Sequence, residues 1–244
     1  MDWIFLIVLF LIAFLYSSVG HGGASGYLAI MALWGFETVV MKTSALSLNL
    51  FVSGIAFANF YRGGYFRPKL LLPLVIASVP LAWLGASLQV NPGIYKIILG
   101  IFLFLATLRM LIQTSTPVGE TRSLPLLVAL LTGVVLGFFS GMIGIGGGII
   151  LSPLLILLRW ATLREAAAVS AAFIFLNSAS GLTSTFIYTR GTHLADQFFL
   201  MTLVAIAGGL LGSWAGTFRI PVKSLKYLLA TVLLIASIKL LTGL

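Results

Sequence analysis

Two glycine clusters sit where a helix would otherwise run on: Gly20-His21-Gly22-Gly23-Ala24-Ser25-Gly26 and Gly144-Ile145-Gly146-Gly147-Gly148. The first interrupts an apolar run from Trp3 to Trp34, the second a run from Leu124 to Leu158. A glycine costs about 1 kcal/mol relative to alanine inside a helix, so each cluster breaks one. Beyond each break a short helix restarts, at about Ala24 and at about Ile149. Its first amides have no acceptor within the helix, and its N-terminus carries roughly half a positive charge. Glycine there permits positive φ and lets a ligand approach the backbone. That is the chemistry of an anion site made from main chain.

Side chains add to it. His21 is the titratable group set deep in an apolar run. As a cation it pairs with an anion, and as a proton acceptor it couples anion movement to pH. A neutral imidazole bonded to carbonyls at the break is the equal alternative. After each short helix comes a small-polar stretch: Thr43, Ser44, Ser47, Asn49 and Ser53, then Ser170, Asn177, Ser178, Ser180 and Thr183. Ser44 and Ser47 share one helix face at i, i+3, as Ser170 and Asn177 do at i, i+7. Such groups either wrap oxyanion oxygens or bond between helices, and Ser44 and Asn177 are the favoured cavity residues. The expected substrate-contacting set is Gly20, His21, Gly22, Gly23, Ser25, Ser44, Asn49, Gly144, Gly146, Gly147, Gly148, Ser170 and Asn177. Gly85, Gly100, Gly133, Gly137, Gly208, Gly209 and Gly216 are read instead as close-packing positions. Neither cluster is followed by Gly-Lys-Ser/Thr, and neither satisfies Gly-x-Gly-x-x-Gly.

Other chemistries fall away. The chain has no Cys and two His, His21 and His193, so no catalytic residue, metal site or cofactor is expected. The carboxylates Asp2, Glu37, Glu120, Glu165 and Asp196 all fall near expected segment ends, which disfavours a buried proton relay or Na⁺ ligand. Glu165 is expected to pair with Arg164 or Arg159 in a solvated loop. Trp3, Trp34, Trp160, Tyr61 and Tyr65 read as interfacial anchors.

The elements that must position the breaks are membrane helices. The chain is 60% hydrophobic and 8% charged, where a soluble domain carries roughly 45–50% and about 25%. A multi-pass, all-α membrane protein follows. Its net charge of +9 suits cytoplasmic loops and anionic lipid headgroups rather than nucleic acid, because no basic-aromatic run accompanies it. Met1-Asp2-Trp3 lacks the positive start of a cleaved signal, so 3–19 is taken as a retained segment. Apolar segments fall at 3–19, 24–35, 44–61, 70–88 and 94–113, then at 124–143, 148–159, 166–188, 197–217 and 224–243. Most approach the ~20 residues a membrane helix needs. The dozen-residue segments after the breaks read as half-helices of a broken or re-entrant hairpin.

The chain also repeats itself. Gly20 and Gly22-Gly23 match Gly144 and Gly146-Gly147 at an offset of 124. Arg62-Gly63 matches Arg190-Gly191, Leu84-Gly85 matches Leu211-Gly212, Pro92 matches Pro221 and Arg109 matches Lys239, at offsets of 127 to 130. Residues 1–113 and 124–244 are therefore expected to be two transmembrane repeats of one domain, joined by a loop at 114–123. If each broken hairpin returns to the side it entered, ten cations gather on one side: Arg62, Arg67, Lys69, Arg109, Arg122, Arg159, Arg164, Arg219, Lys223 and Lys226. Only Lys42, Lys96, Arg190 and Lys239 lie on the other, whereas counting each hairpin as one crossing divides them seven and seven. The positive-inside rule prefers the first. Each half is then a glycine-broken helical hairpin plus three transmembrane helices, the halves are inverted, and both termini face outward.

Gly141-Met142-Ile143-Gly144-Ile145-Gly146-Gly147-Gly148-Ile149-Ile150-Leu151-Ser152-Pro153-Leu154-Leu155, with Arg164-Glu165-Ala166 and Ser170 through Gly181, resembles the TauE/SafE sulfite exporter family, also called the toluene-sulfonate uptake permease family. Gly20 to Leu33 with Thr43-Ser44-Ala45-Leu46 is similar to that family's degenerate first copy, departing from it at His21, Ala24 and Ser25. The resemblance implies a carrier in a bacterial inner membrane for sulfite, sulfonates or related sulfur-containing or carboxylate anions. The expectation is an exporter working by alternating access, with the lipid bilayer as its other partner and a homodimer left open. An anion channel is the rival reading, and a membrane-embedded enzyme or assembly factor a weaker one.

Overall fold

In a computed structural model the chain is all-helical, and the structure describes residues 2–88, 90–112, 121–189, 194, 197–218 and 225–242. These hold ten helices: α1 (Trp3–Ser18), α2 (Ala24–Leu33), α3 (Thr38–Arg62), α4 (Pro68–Ser87), α5 (Pro92–Ile112), α6 (Leu126–Ile143), α7 (Gly148–Leu157), α8 (Leu163–Thr189), α9 (Phe198–Phe218) and α10 (Leu225–Thr242). Among the described residues α3, α4, α6, α8 and α9 are long and apolar enough to cross a membrane. Most of the 114–123 loop, the landmarks Arg190-Gly191 and Pro221, the charges Arg219 and Lys223, and the residues His193 and Asp196 lie outside the described residues.

Both half-helices stand where the breaks put them, as ten-residue helices. Two central helices start earlier than their apolar runs. α8 opens at Leu163 rather than 166 because Thr162 and Glu165 form a capping box. The Glu165 carboxylate accepts the Thr162 N–H at 2.9 Å, and the Thr162 hydroxyl accepts the Glu165 N–H at 3.5 Å. α3 opens at Thr38 rather than 44 because the polar groups of its first turns find partners within α3 and on α4. Thr43 donates to the Val39 carbonyl, and the Lys42 amine donates to the Ala86 carbonyl at 3.1 Å.

Glycines set the packing. Apolar helices in lipid gain little from burying one another's apolar faces, so close backbone approach carries the association. A side chain at Gly208, Gly212 or Gly216 of α9 would strike the carbonyls of Phe10, Phe14 or Ser18 of α1. Gly133, Gly137 and Gly141 of α6 meet Leu74, Ser78 and Ala82 of α4 in the same way. In both series the numbers climb together, so α1 runs parallel to α9 and α6 parallel to α4.

Other contacts extend the directions. Val52, Asn59 and Gly63 meet Gly209, Ser213 and Thr217, which sets α3 parallel to α9. Ser180 and Ser184 donate to the Val79 and Trp83 carbonyls, which sets α8 parallel to α4. Leu46, Asn49 and Gly54 meet Gly181, Ser178 and Phe175, so α3 and α8 are antiparallel. Thus α1, α3 and α9 run one way while α4, α6 and α8 run the other.

Both broken hairpins return to the end they started from. The Phe5 ring, at the start of α1, packs on Trp34 and Phe36 beyond the end of α2, with centroids 5.5 and 5.7 Å apart. Arg122, before α6, donates its amide to the Arg159 carbonyl after α7 at 2.6 Å.

Two expectations need correction. Trp160 is buried, in a cluster with Leu155, Ile156 and Ala161, so it packs the end of α7 inside the protein instead of anchoring at an interface. Glu165 pairs with neither Arg164 nor Arg159 but with Arg67, at 2.5 Å and 2.6 Å, and it is itself buried. Arg164 turns to Tyr65, bonding the phenol and lying 5.1 Å over its ring.

Candidate functional site

Each break is a helix stop followed at once by a helix start. Gly20 at φ +77° ends α1 in a Schellman turn: its amide bonds Ser17 O and the His21 amide bonds Tyr16 O. Gly144 at φ +89° ends α6 similarly, with its amide and that of Ile145 both on Ser140 O. The starts use Gly23 at φ +99° and Gly147 at φ +79° as N-caps. Gly146 adds a further left-handed residue at φ +78°. Side chains avoid this region, which is why glycine occupies these positions.

The two starts meet at the middle of α3 and α8, around one side chain. Asn49 is fully buried, and its Oδ1 accepts the amide of Ala24, the first residue of α2, at 3.2 Å. Its Nδ2 donates to the Ile145 carbonyl of the second break at 3.4 Å and to Ser178 Oγ of α8 at 3.0 Å. A Cβ on Gly22 or on Gly146 would land on that amide, and each would also crowd Ile174. Asn49 and Ile174 therefore stand between the same two glycines, one offering an amide and the other a methyl.

The outer glycines pass beyond this centre. Gly20 abuts the Ala167 backbone of α8, and Gly144 abuts Lys42 of α3. The same exchange relates Gly22 and Gly146 to Asn49 and Ile174, so the contacts come in corresponding pairs at offsets of 124 and 125. Tyr95 of α5 steadies the second break by donating to the Ile143 carbonyl at 2.7 Å.

His21 is buried at the first break with its ring beside Gly148 of the second. Its Nδ1 lies 3.1 Å from the Val19 carbonyl, which can only accept, so that nitrogen carries the proton in this bond. Its ring meets Tyr16 edge-on at 6.1 Å. The Ser25 hydroxyl donates to the Tyr16 phenol at 2.7 Å.

The structure thus brings His21, Gly22 and Asn49 together with Gly146 and Gly148, while Gly20, Gly23, Ser25, Gly144 and Gly147 flank that contact within their own breaks. The remaining expected residues lie on the adjoining helices α3 and α8. Ser170 accepts from the Ser152 hydroxyl of α7 at 2.7 Å. Asn177 gives its Nδ2 to the Phe173 carbonyl at 2.9 Å, while its buried Oδ1 has no partner. Ser44 is buried within α3. Sequence reasoning missed Ile174, Tyr16 and Tyr27 at the breaks and left Ser178 out of the contacting set. Ile174 is Asn49 plus the repeat offset, so the repeat held that signal. The tyrosines carried none, being ordinary members of an apolar run. No group of three His, Cys, Asp or Glu that could hold a metal lies among the described residues.

Comparisons with known proteins agree on one kind of molecule. A relative from Sinorhizobium fredii, named a probable membrane transporter protein (y4hK), is 34% identical over 96% of this chain and 96% of its own. A Bacillus subtilis protein (YunE), also named a probable membrane transporter protein, is 27% identical over 99% of this chain and 98% of its own. One from Methanocaldococcus jannaschii (MJ0441), of the same description, is 29% identical over 68% of this chain and 65% of its own. No solved structure matches. The profile described as sulfite exporter TauE/SafE matches residues 5–240, and the chain belongs to that family of membrane transporters.

Proposed function

We propose that this protein is a secondary carrier that exports a small oxyanion of the sulfite or sulfonate class by alternating access. The observation that carries the reading is Asn49, one side chain tying the N-terminus of α2 to the break before α7 at mid-helix. Two helix N-termini aimed at one buried centre make a region where an anion is electrostatically favoured. The substrate-contacting set is Gly20, Gly22, Gly23, Gly144, Gly146, Gly147 and Gly148 with His21, Ser25 and Asn49, and with Ser44, Ser170 and Asn177 on α3 and α8.

The halves, residues 1–113 and 124–244, are read as inverted repeats. The opposed directions of α1, α3 and α4 against α6, α8 and α9 support that, as does the return of both hairpins. The end bearing Arg67, Arg122, Arg159 and Arg164 is assigned to the cytoplasm of a bacterial inner membrane, which leaves both termini outside. An inside-negative potential then favours anion exit by about 2.3 kcal/mol per charge per 100 mV.

Proteoliposomes loaded with sulfite test this. Efflux should rise when the outside is made positive, and Gly146→Leu, which places a side chain on Asn49, should abolish it while insertion persists. Efflux indifferent to both potential and pH would sink the exporter reading, and efflux surviving Gly146→Leu would sink the site.

A further inference from the structure

The protic groups around the two breaks are unequal: Tyr27 at the first and Ser140 at the second both carry a buried hydroxyl with no hydrogen-bond partner, and only the first is a phenol. Tyr27 of α2 is completely buried, and its hydroxyl has no hydrogen-bond partner. Helical side chains lean back toward the N-terminus of their helix. The Tyr27 ring does so until its Cζ and hydroxyl come to 2.6 Å from where a Cβ on Gly23 would stand. Gly23 is the N-cap of α2. The phenol is thus laid against the end of the helix where unpaired amides gather, and only a glycine cap leaves it room. Beside it Ser25 and Tyr16 bond each other and are buried. At the matching places of the second half stand Ser140, Ile149 and Leu151, so the phenols belong to the first break alone.

An unpaired buried hydroxyl costs free energy that a bound acceptor would recover. We infer that Tyr27 and the N-terminus of α2 form a one-sided subsite that grips an oxygen of a monoanionic oxyanion. The inference deepens the carrier reading and rests on it. The charge state follows from the surroundings. Each helix N-terminus supplies roughly half a positive charge, so two supply about one. The nearest cation at the second break, Lys42, has its amine turned onto the Ala86 carbonyl at the end of α4. With the His21 imidazole neutral, one negative charge is balanced there and a second is not.

The test is ligand-induced thermal stabilisation and flux with the purified full-length protein, using methanesulfonate as the monoanion and sulfate as the dianion. The variants are Tyr27→Phe and, as a control, Ser78→Ala. Ser78 also carries a buried unpartnered hydroxyl, but it packs on Gly137 between α4 and α6 and against no glycine of either break. Because the Tyr27 hydroxyl bonds nothing in the protein and its burial costs free energy, Tyr27→Phe should keep or raise the melting temperature without ligand. A hydrogen bond to a charged group is large enough that the half-saturating methanesulfonate concentration should rise about tenfold or more. Ser78→Ala should keep wild-type affinity, and sulfate should stabilise neither protein.

Methanesulfonate affinity unchanged in Tyr27→Phe would overturn the subsite, as would a lowered melting temperature with affinity intact. Sulfate bound as tightly as methanesulfonate would overturn the charge assignment. If the wild-type protein responded to neither anion, the carrier reading itself would fall, which is distinguishable because no variant is involved.

Discussion

Asn49 joins three parts of the fold, because three bonds from one amide reach α2, the second break and α8. An apolar residue of equal size would leave the Ala24 amide and the Ile145 carbonyl unpaired in a dry place. Each such group costs about 1–3 kcal/mol. Asn49→Leu should therefore lower the melting temperature of the detergent-solubilised protein by several degrees and remove anion-dependent stabilisation with it. Melting curves with and without methanesulfonate measure both effects. A variant that melts like wild type and still responds to the anion would show that Asn49 ties nothing together. The residue was legible as a polar side chain in an apolar run. Its three partners were not, since they lie 25, 96 and 129 positions away and only packing assembles them.

Among the elements, the start of α8 shows how a helix end is tied to a distant neighbour. Glu165 closes the capping box with Thr162 and also receives Arg67 from the turn before α4. The Arg67 side chain is 62% exposed, so solvent screens the pair and it contributes at most about 1 kcal/mol. Loss of a cap costs about 1 kcal/mol on its own. Glu165→Ala removes the ion pair and the carboxylate half of the capping box, leaving the Thr162 hydroxyl on the main chain, and should destabilise more than Arg67→Ala, which removes the ion pair alone. Equal shifts in melting temperature would mean that the cap contributes nothing. The apolar periods and glycine breaks revealed the helices and their half-length members closely. They placed the starts of α3 and α8 late, because hydropathy discounts polar first turns that capping and backbone bonds make comfortable. They gave Glu165 a local partner, because arginines at Arg159 and Arg164 were near in sequence while Arg67 was near only in space.

For the whole molecule the decisive question is whether each broken hairpin crosses the membrane or comes back. The bond from Arg122 to Arg159 and the packing of Phe5 on Trp34 put the ends of each hairpin together. A single-crossing hairpin would instead set Arg122 and Arg164 on opposite faces. Sequence could pose this choice through the division of fourteen cations but could not exhibit it, since charge counts report sides and not contacts. The chain has no cysteine, so an introduced one is the only thiol. Arg122, Arg164, Lys69 and Glu37 are all exposed and suit the purpose. With intact cells and a membrane-impermeant maleimide, Glu37→Cys should label at once. Lys69→Cys, Arg122→Cys and Arg164→Cys should label only after permeabilisation. The inverted arrangement requires Arg122 and Arg164 to behave alike, because both hairpin ends of the second half share a face. If one of that pair were accessible from outside and the other were not, the hairpin would cross, the halves would lose their opposed orientation, and the two helix N-termini would no longer approach one site from opposite sides.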